Sequence, residues 1–243
     1  MTNWTYYGWS NGLGFCFAVI FLIVCLKKYK NKPYKEKVKP LWFLTALFII
    51  LETIKIFYHI SVKSEYPMQR YPFVFCSLVM YFYPLICLTD EKNALSRSAR
   101  AISIVPSIVL GVGYMVAFSD ATSASFYSFL MNLHSRFYHF AMFGAALYMV
   151  FTGLYKFEFK DCFFTGIVAG SYFILCTIVS IFMGGNLSYF GPTTAITKPL
   201  YDVFGYAVGN IVFAMIAFTA SLFVYGAVYL IKKAITKLEK QLA

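Results

Sequence analysis

Charge is what this chain has least of. Only 13% of its 243 residues are charged, and acidic residues number ten against 21 lysines and arginines. So few charges cannot keep a chain that is 60% hydrophobic dispersed in water, which excludes an ordinary soluble domain and makes lipid its main solvent. Paired cysteines are missing too. Cys16, Cys25, Cys76, Cys87, Cys162 and Cys176 lie within or at the ends of apolar runs, with no C-x-x-C pair and no Cys/His spacing that would build a zinc site. Neither a metal centre nor a disulfide framework is expected, and no cofactor is implied. No internal repeat, domain linker or nucleic-acid module is visible. The net charge of +11 resides in short lysine runs beside apolar segments, where topology and anionic headgroups use it, so membrane lipids rather than nucleic acid are the expected partners. The 27 Phe and 20 Tyr are read as membrane packing, not as a ligand box.

What is present is a series of apolar runs, at about 12–26, 41–60, 72–88, 101–118, 129–154, 162–183 and 203–231. Each is near or above the roughly 20 residues that span a hydrocarbon core, the shorter ones extended by their flanks. The expectation is an all-α bundle of seven transmembrane helices forming one domain over residues 1–243. The first run is followed, not preceded, by positive charge, which argues against a cleaved signal peptide and for an outer N-terminus. Trp4, Tyr6, Tyr7 and Trp9 then read as an outer interfacial belt. With that orientation sixteen basic residues fall inside, among them the seven lysines of Lys27–Lys39 and Lys92, Arg97 and Arg100, while only Lys63, Arg70 and Lys198 fall outside. The C-terminus is accordingly cytoplasmic. Asn3-Trp4-Thr5 and Asn186-Leu187-Ser188 match glycosylation sequons on the outer side, a pattern that arises readily by chance.

Two basic residues, Lys55 and Arg136, remain within the apolar runs, together with Glu52, His59, His134 and His139. An ionisable group in a bilayer costs roughly 2.5–3.5 kcal/mol on insertion scales, so such residues face the bundle interior and carry function. At about 1.5 Å per residue, Glu52 and Cys76 both lie roughly 20 Å above the inner face and His139 roughly 25 Å above it, with Arg136 higher still. Glu52, Lys55 and His59 are spaced by three and four and form one stripe; Arg136 and His139 are three apart. A thiol, an imidazole and a cation at one depth support nucleophilic chemistry, because the thiolate is the reactive form of cysteine. Cys76 and His139 are the candidate catalytic pair. Arg136, Lys55, Glu52, His59 and His134 are candidate substrate-binding residues, joined by Asn186 in the outer loop Gly184–Leu200.

The segments ILETIKIFYHI (Ile50–Ile60), YPFVFCSL (Tyr71–Leu78) with Pro84-Leu85 after it, HSRFYH (His134–His139) and GGNLSYFGPTTAITKPL (Gly184–Leu200) resemble, in order and spacing, the YwaF-type integral membrane proteins of bacteria, whose eukaryotic relatives include transmembrane protein 164. The resemblance covers roughly residues 40 to 220. The family's cysteine falls on Cys76, although Phe73 and Phe75 stand here where the family commonly has polar or aliphatic residues, and no histidine comes just before Cys76. The resemblance implies a multi-pass protein of the bacterial plasma membrane that moves a fatty acyl chain between phospholipids through Cys76 and His139. The intramembrane residues leave two other functions open. One is a small proton-coupled carrier using Glu52, Lys55, His59 and His139 as a relay; the other is a non-catalytic scaffold in which the charges only pair with one another.

Overall fold

The computed structural model describes residues 3–61, 75–116, 126–183 and 198–242. All the regular structure among them is helical: α1 (Asn3–Tyr29), α2 (Tyr34–Lys37), α3 (Lys39–Ser61), a 3-10 turn (Phe75–Leu78) running into α4 (Val79–Leu88), α5 (Ala94–Val116), α6 (Phe126–Phe151), α7 (Asp161–Met183) and α8 (Lys198–Leu242). Among the described residues three helical stretches are long and apolar enough to cross a membrane: Ser10–Tyr29, Tyr34–Ser61 and Ala94–Val112. Shorter apolar helices occupy Cys76–Leu88, Asp161–Cys176 and Phe218–Leu230.

Several boundaries differ from the sequence expectation. Trp4, Tyr6, Tyr7 and Trp9 belong to α1 itself rather than to a segment before it. The lysine-rich stretch after α1 contains the helical turn α2, and α3 already starts at Lys39. Lysine is a good helix former, and charge alone does not break a helix. Glycine does, where it supplies a left-handed backbone. Gly153, with φ of 71°, closes α6, and the Tyr155 N–H donates back to the Met149 carbonyl at 3.0 Å. Gly205, with φ of 70°, breaks α8 into two helical pieces.

The helices cluster into two compact units, and α1 to α6 make up most of the first. There α1 lies along α6, α6 along α5, α5 along α4, and α3 against α4 and α6. The α1–α6 contact is built on small residues. A Cβ at Gly14 would lie 2.6 Å from the Phe140 ring and 3.3 Å from the Arg136 carbonyl oxygen, and one at Gly144 would lie 3.3 Å from the Ala18 backbone. Small residues let helix backbones approach when lipid offers no hydrophobic drive for association. Gly14→Leu is therefore expected to destabilise the protein by about 1–3 kcal/mol through overpacking, whereas Gly12→Ala, whose Cβ meets nothing within 4 Å, leaves the detergent melting temperature unchanged.

One end of this unit is tied by polar contacts. The Tyr34 hydroxyl donates to the Ile86 carbonyl at 2.8 Å and accepts from Ser96 at 2.7 Å. Lys37 donates to the Thr152 carbonyl at 2.6 Å, and Tyr148 donates to the Lys37 carbonyl at 2.8 Å. Arg100 is a correction. Counted from the sequence among loop cations, it is only 5% exposed, and it donates to the carbonyls of Leu154 at 2.9 Å and Glu91 at 2.6 Å. The second unit holds α7 and α8, where Gly166 leaves room for the Phe218 ring: a Cβ there would sit 2.4 Å from it.

Candidate functional site

Helix α3 brings an acid into the apolar interior of the first unit. Glu52 is 3% exposed, one turn after the fully buried Phe48, and its neighbour on the same face, Lys55, forms an ion pair with its Oε2. The other oxygen, Oε1, accepts a 2.7 Å hydrogen bond from the Ser77 hydroxyl. Ser77 has no solvent exposure and belongs to the 3-10 turn that leads into α4. The carboxylate is thus held between a cation on its own helix and a hydroxyl from the next, which offsets its desolvation. Residues 76, 79, 83 and 86 recur at helical spacing; Val79, Tyr83 and Ile86 are fully or almost fully buried and Cys76 half-buried at the start of that face. Lys55 and Glu52 are the charged groups acting on the Cys76 thiol.

Helix α6 supplies the imidazoles. His134 Nε2 donates to the Leu51 carbonyl at 2.9 Å, which seats α6 on the backbone of α3 beside Glu52, and Lys55 and His59 are within electrostatic reach of its ring. His139 is buried, and its Nδ1–H donates to the Ser135 carbonyl at 2.7 Å. A neutral imidazole donates from one nitrogen and accepts at the other, so its basic nitrogen is Nε2. Charge from His134, Arg136 and Lys55 reaches this ring. Lys55 therefore stands within electrostatic reach of both Cys76 and His139. Arg136 is 3% exposed, with its carbonyl against Gly14 of α1, and its charge reaches His139. His59 ends the stripe on α3, with the Tyr58 ring 5.3 Å away. Asn186 lies outside the described residues.

Two residues at this site carried no separate signal in the sequence. Ser77 is one of many serines, and only its bond to Glu52 distinguishes it. Tyr138, between Phe137 and His139, reads as aromatic packing, and its ring does stack on Phe48 at 4.3 Å; yet its hydroxyl lies beside Ser77 and within electrostatic reach of Cys76 and Glu52. Its position directly before His139 was the available clue.

An all-helical protein whose apolar helices enclose an acid, a lysine, two histidines and a cysteine is an integral membrane protein with a polar interior. The sequence model of the TMEM164 family matches residues 6–226, and the chain belongs to that family. The match extends the likeness noted over residues 40 to 220 back into α1 and a few residues further along α8. No curated protein and no solved structure matches the chain.

Proposed function

We propose that this is a seven-span protein of the bacterial plasma membrane, with its N-terminus outside, that takes a phospholipid from the outer leaflet and transfers its acyl chain through Cys76. The observation that carries the reading is the ion pair of Lys55 with the buried Glu52 within electrostatic reach of the Cys76 thiol, a cation acting on a nucleophile in an apolar surround. Lys55 favours the thiolate, and Glu52 keeps Lys55 in place and compensates its charge. His139 Nε2 takes the thiol proton, since Nδ1 is committed to Ser135. The thiolate sulfur then bonds to the acyl carbonyl carbon, the ester C–O bond breaks, and the departing lysophospholipid alkoxide takes the proton from His139. A hydroxyl of a second lipid reverses these steps, leaving a new ester and a free thiol. Arg136, His59, His134 and Asn186 serve the phosphate and headgroup on the outer side.

Intact mass after incubation with phospholipid tests this. A fatty-acyl increment on the parent protein is expected, removed by neutral hydroxylamine, absent in Cys76→Ser and reduced by at least about 10²-fold in rate in His139→Ala. An unmodified parent protein with bound lipid rejects acyl transfer. The Glu52–Lys55 ion pair, which with His59 lies within electrostatic reach of His134, favours a second reading, a proton-coupled carrier. Such a carrier tolerates Cys76→Ser and fails on Glu52→Gln, the reverse of the order expected for the enzyme.

A further inference from the structure

Thr45, Ser103, Ser107 and Thr152 bury hydroxyls that are spent on their own helices: each donates to the carbonyl four residues back, a common local partner for serine and threonine. Ser77 bonds elsewhere. With no solvent exposure, its hydroxyl crosses from the 3-10 turn Phe75–Leu78 to α3 and donates to Glu52 Oε1 at 2.7 Å. The residue before it in that turn is Cys76.

This bond fixes what the apolar packing leaves free. Helix α4 meets α3 through the Tyr83 and Phe48 rings, 5.9 Å apart, and a hydrophobic contact is non-directional, so it sets how closely the segments approach but not how the turn is rotated. A hydrogen bond to a carboxylate has a required length and angle. A 3-10 turn of four residues has little internal bonding of its own, so the bond to α3 decides its setting. The acceptor is itself held, since Glu52 Oε2 pairs with Lys55. One residue earlier on α3, the Leu51 carbonyl accepts from His134 Nε2 at 2.9 Å, and His134 is on the helix that carries His139. The turn of the thiol and the helix of the imidazole are thus fixed to consecutive residues of α3.

We infer that Ser77 is a positioning residue for acyl transfer at Cys76: its hydroxyl, bonded to Glu52, holds the Cys76 turn in register with α3 and, through the Leu51–His134 bond, with the helix of His139. The inference rests on the acyl-transfer reading. Ser77 takes no part in the bonds that form or break. Its effect belongs in the rate of the chemical step, because misplacing a reacting group by about 1 Å can cost about 10²-fold in rate while the substrate still binds.

The experiment is single-turnover thioester formation at Cys76 of the full-length protein in phospholipid–detergent micelles. It is read by quenched intact mass over a series of phospholipid concentrations, below the melting transition of every variant. Ser77→Ala is expected to lower the limiting rate by about 10²-fold and to leave the half-saturating phospholipid concentration unchanged. Ser77→Thr keeps the hydroxyl and should recover most of that rate. A purely structural role predicts a lower melting temperature with the limiting rate of the folded protein unchanged, and that result overturns the inference while acyl transfer stands. A raised half-saturating concentration at the parent limiting rate overturns it too, because the hydroxyl then serves lipid binding. So does a Ser77→Thr protein as slow as Ser77→Ala, since the hydroxyl is then not what holds the turn. If the parent forms no thioester, the inference and the acyl-transfer reading both fall. Should Ser77→Ala not fold, Ser77→Cys keeps the shape with a much weaker donor. A reduced limiting rate, with the acyl group located on Cys76 by peptide mass, then supports the role, and the parent rate overturns it.

Discussion

Glu52→Ala is expected to destabilise the protein by on the order of 3–5 kcal/mol, because it strands a lysine and a hydroxyl that were both satisfied by one carboxylate. The side chains of Lys55 and Glu52 are only 14% and 5% exposed, so water cannot substitute for the lost partner as it does on a surface. Lys55→Ala alone leaves the acid buried and is expected to be comparably harmful. Glu52→Met combined with Lys55→Met removes both charges and keeps the volume, and most of the stability should return, since an apolar pair of similar size is often as stable as a buried ion pair. Thermal unfolding of the four proteins in detergent measures this. A double variant as unstable as the sum of the two singles would mean that the residues do not act as a pair. Recovery of stability without recovery of acyl transfer would separate the architecture of the site from its chemistry.

Arg100→Met should lower stability by about 3 kcal/mol. The guanidinium forks between the Leu154 carbonyl beyond α6 and the Glu91 carbonyl between α4 and α5, and it lies 5.4 Å over the Tyr34 ring beside α2. Hydrogen bonds to a charged group contribute about 1.5–3 kcal/mol each, and methionine replaces the stem but neither bond. For a chain of this size that corresponds to a fall on the order of 10 °C in apparent melting temperature. Arg100→Lys is expected to recover only part of it, since an ammonium cannot span two carbonyls as a planar fork does. A lysine variant as stable as the parent would show that charge, not geometry, holds this end.

Much of the architecture was legible because it depends on local composition. Apolar runs bounded by lysines and glycines mark α1, α3, α5, α6 and α7 to within a few residues at one or both ends, since a backbone in lipid must satisfy its own hydrogen bonds and helices do so within the segment. The i, i+3 spacing of Glu52 and Lys55 already places them on one face, and their ion pair is a property of a single helix. Helix ends were harder. Trp4 to Trp9 and Lys39 are polar or amphipathic enough to look like loop, yet they continue a helix whose cost of extension is small.

The site separates along the same line. By itself the sequence determined that this is an α-helical membrane protein of its family, and that Glu52, Lys55, Cys76, Arg136, His134 and His139 share apolar segments, because hydropathy and spacing along one chain carry that information. Only the tertiary structure decided that Ser77 donates to Glu52, that His134 is held by the Leu51 carbonyl, that Tyr138 stacks on Phe48, and that Arg100 is buried rather than solvated. Those are relations between helices, set by which faces pack and at what rotation, and no periodicity within a single segment encodes its partner.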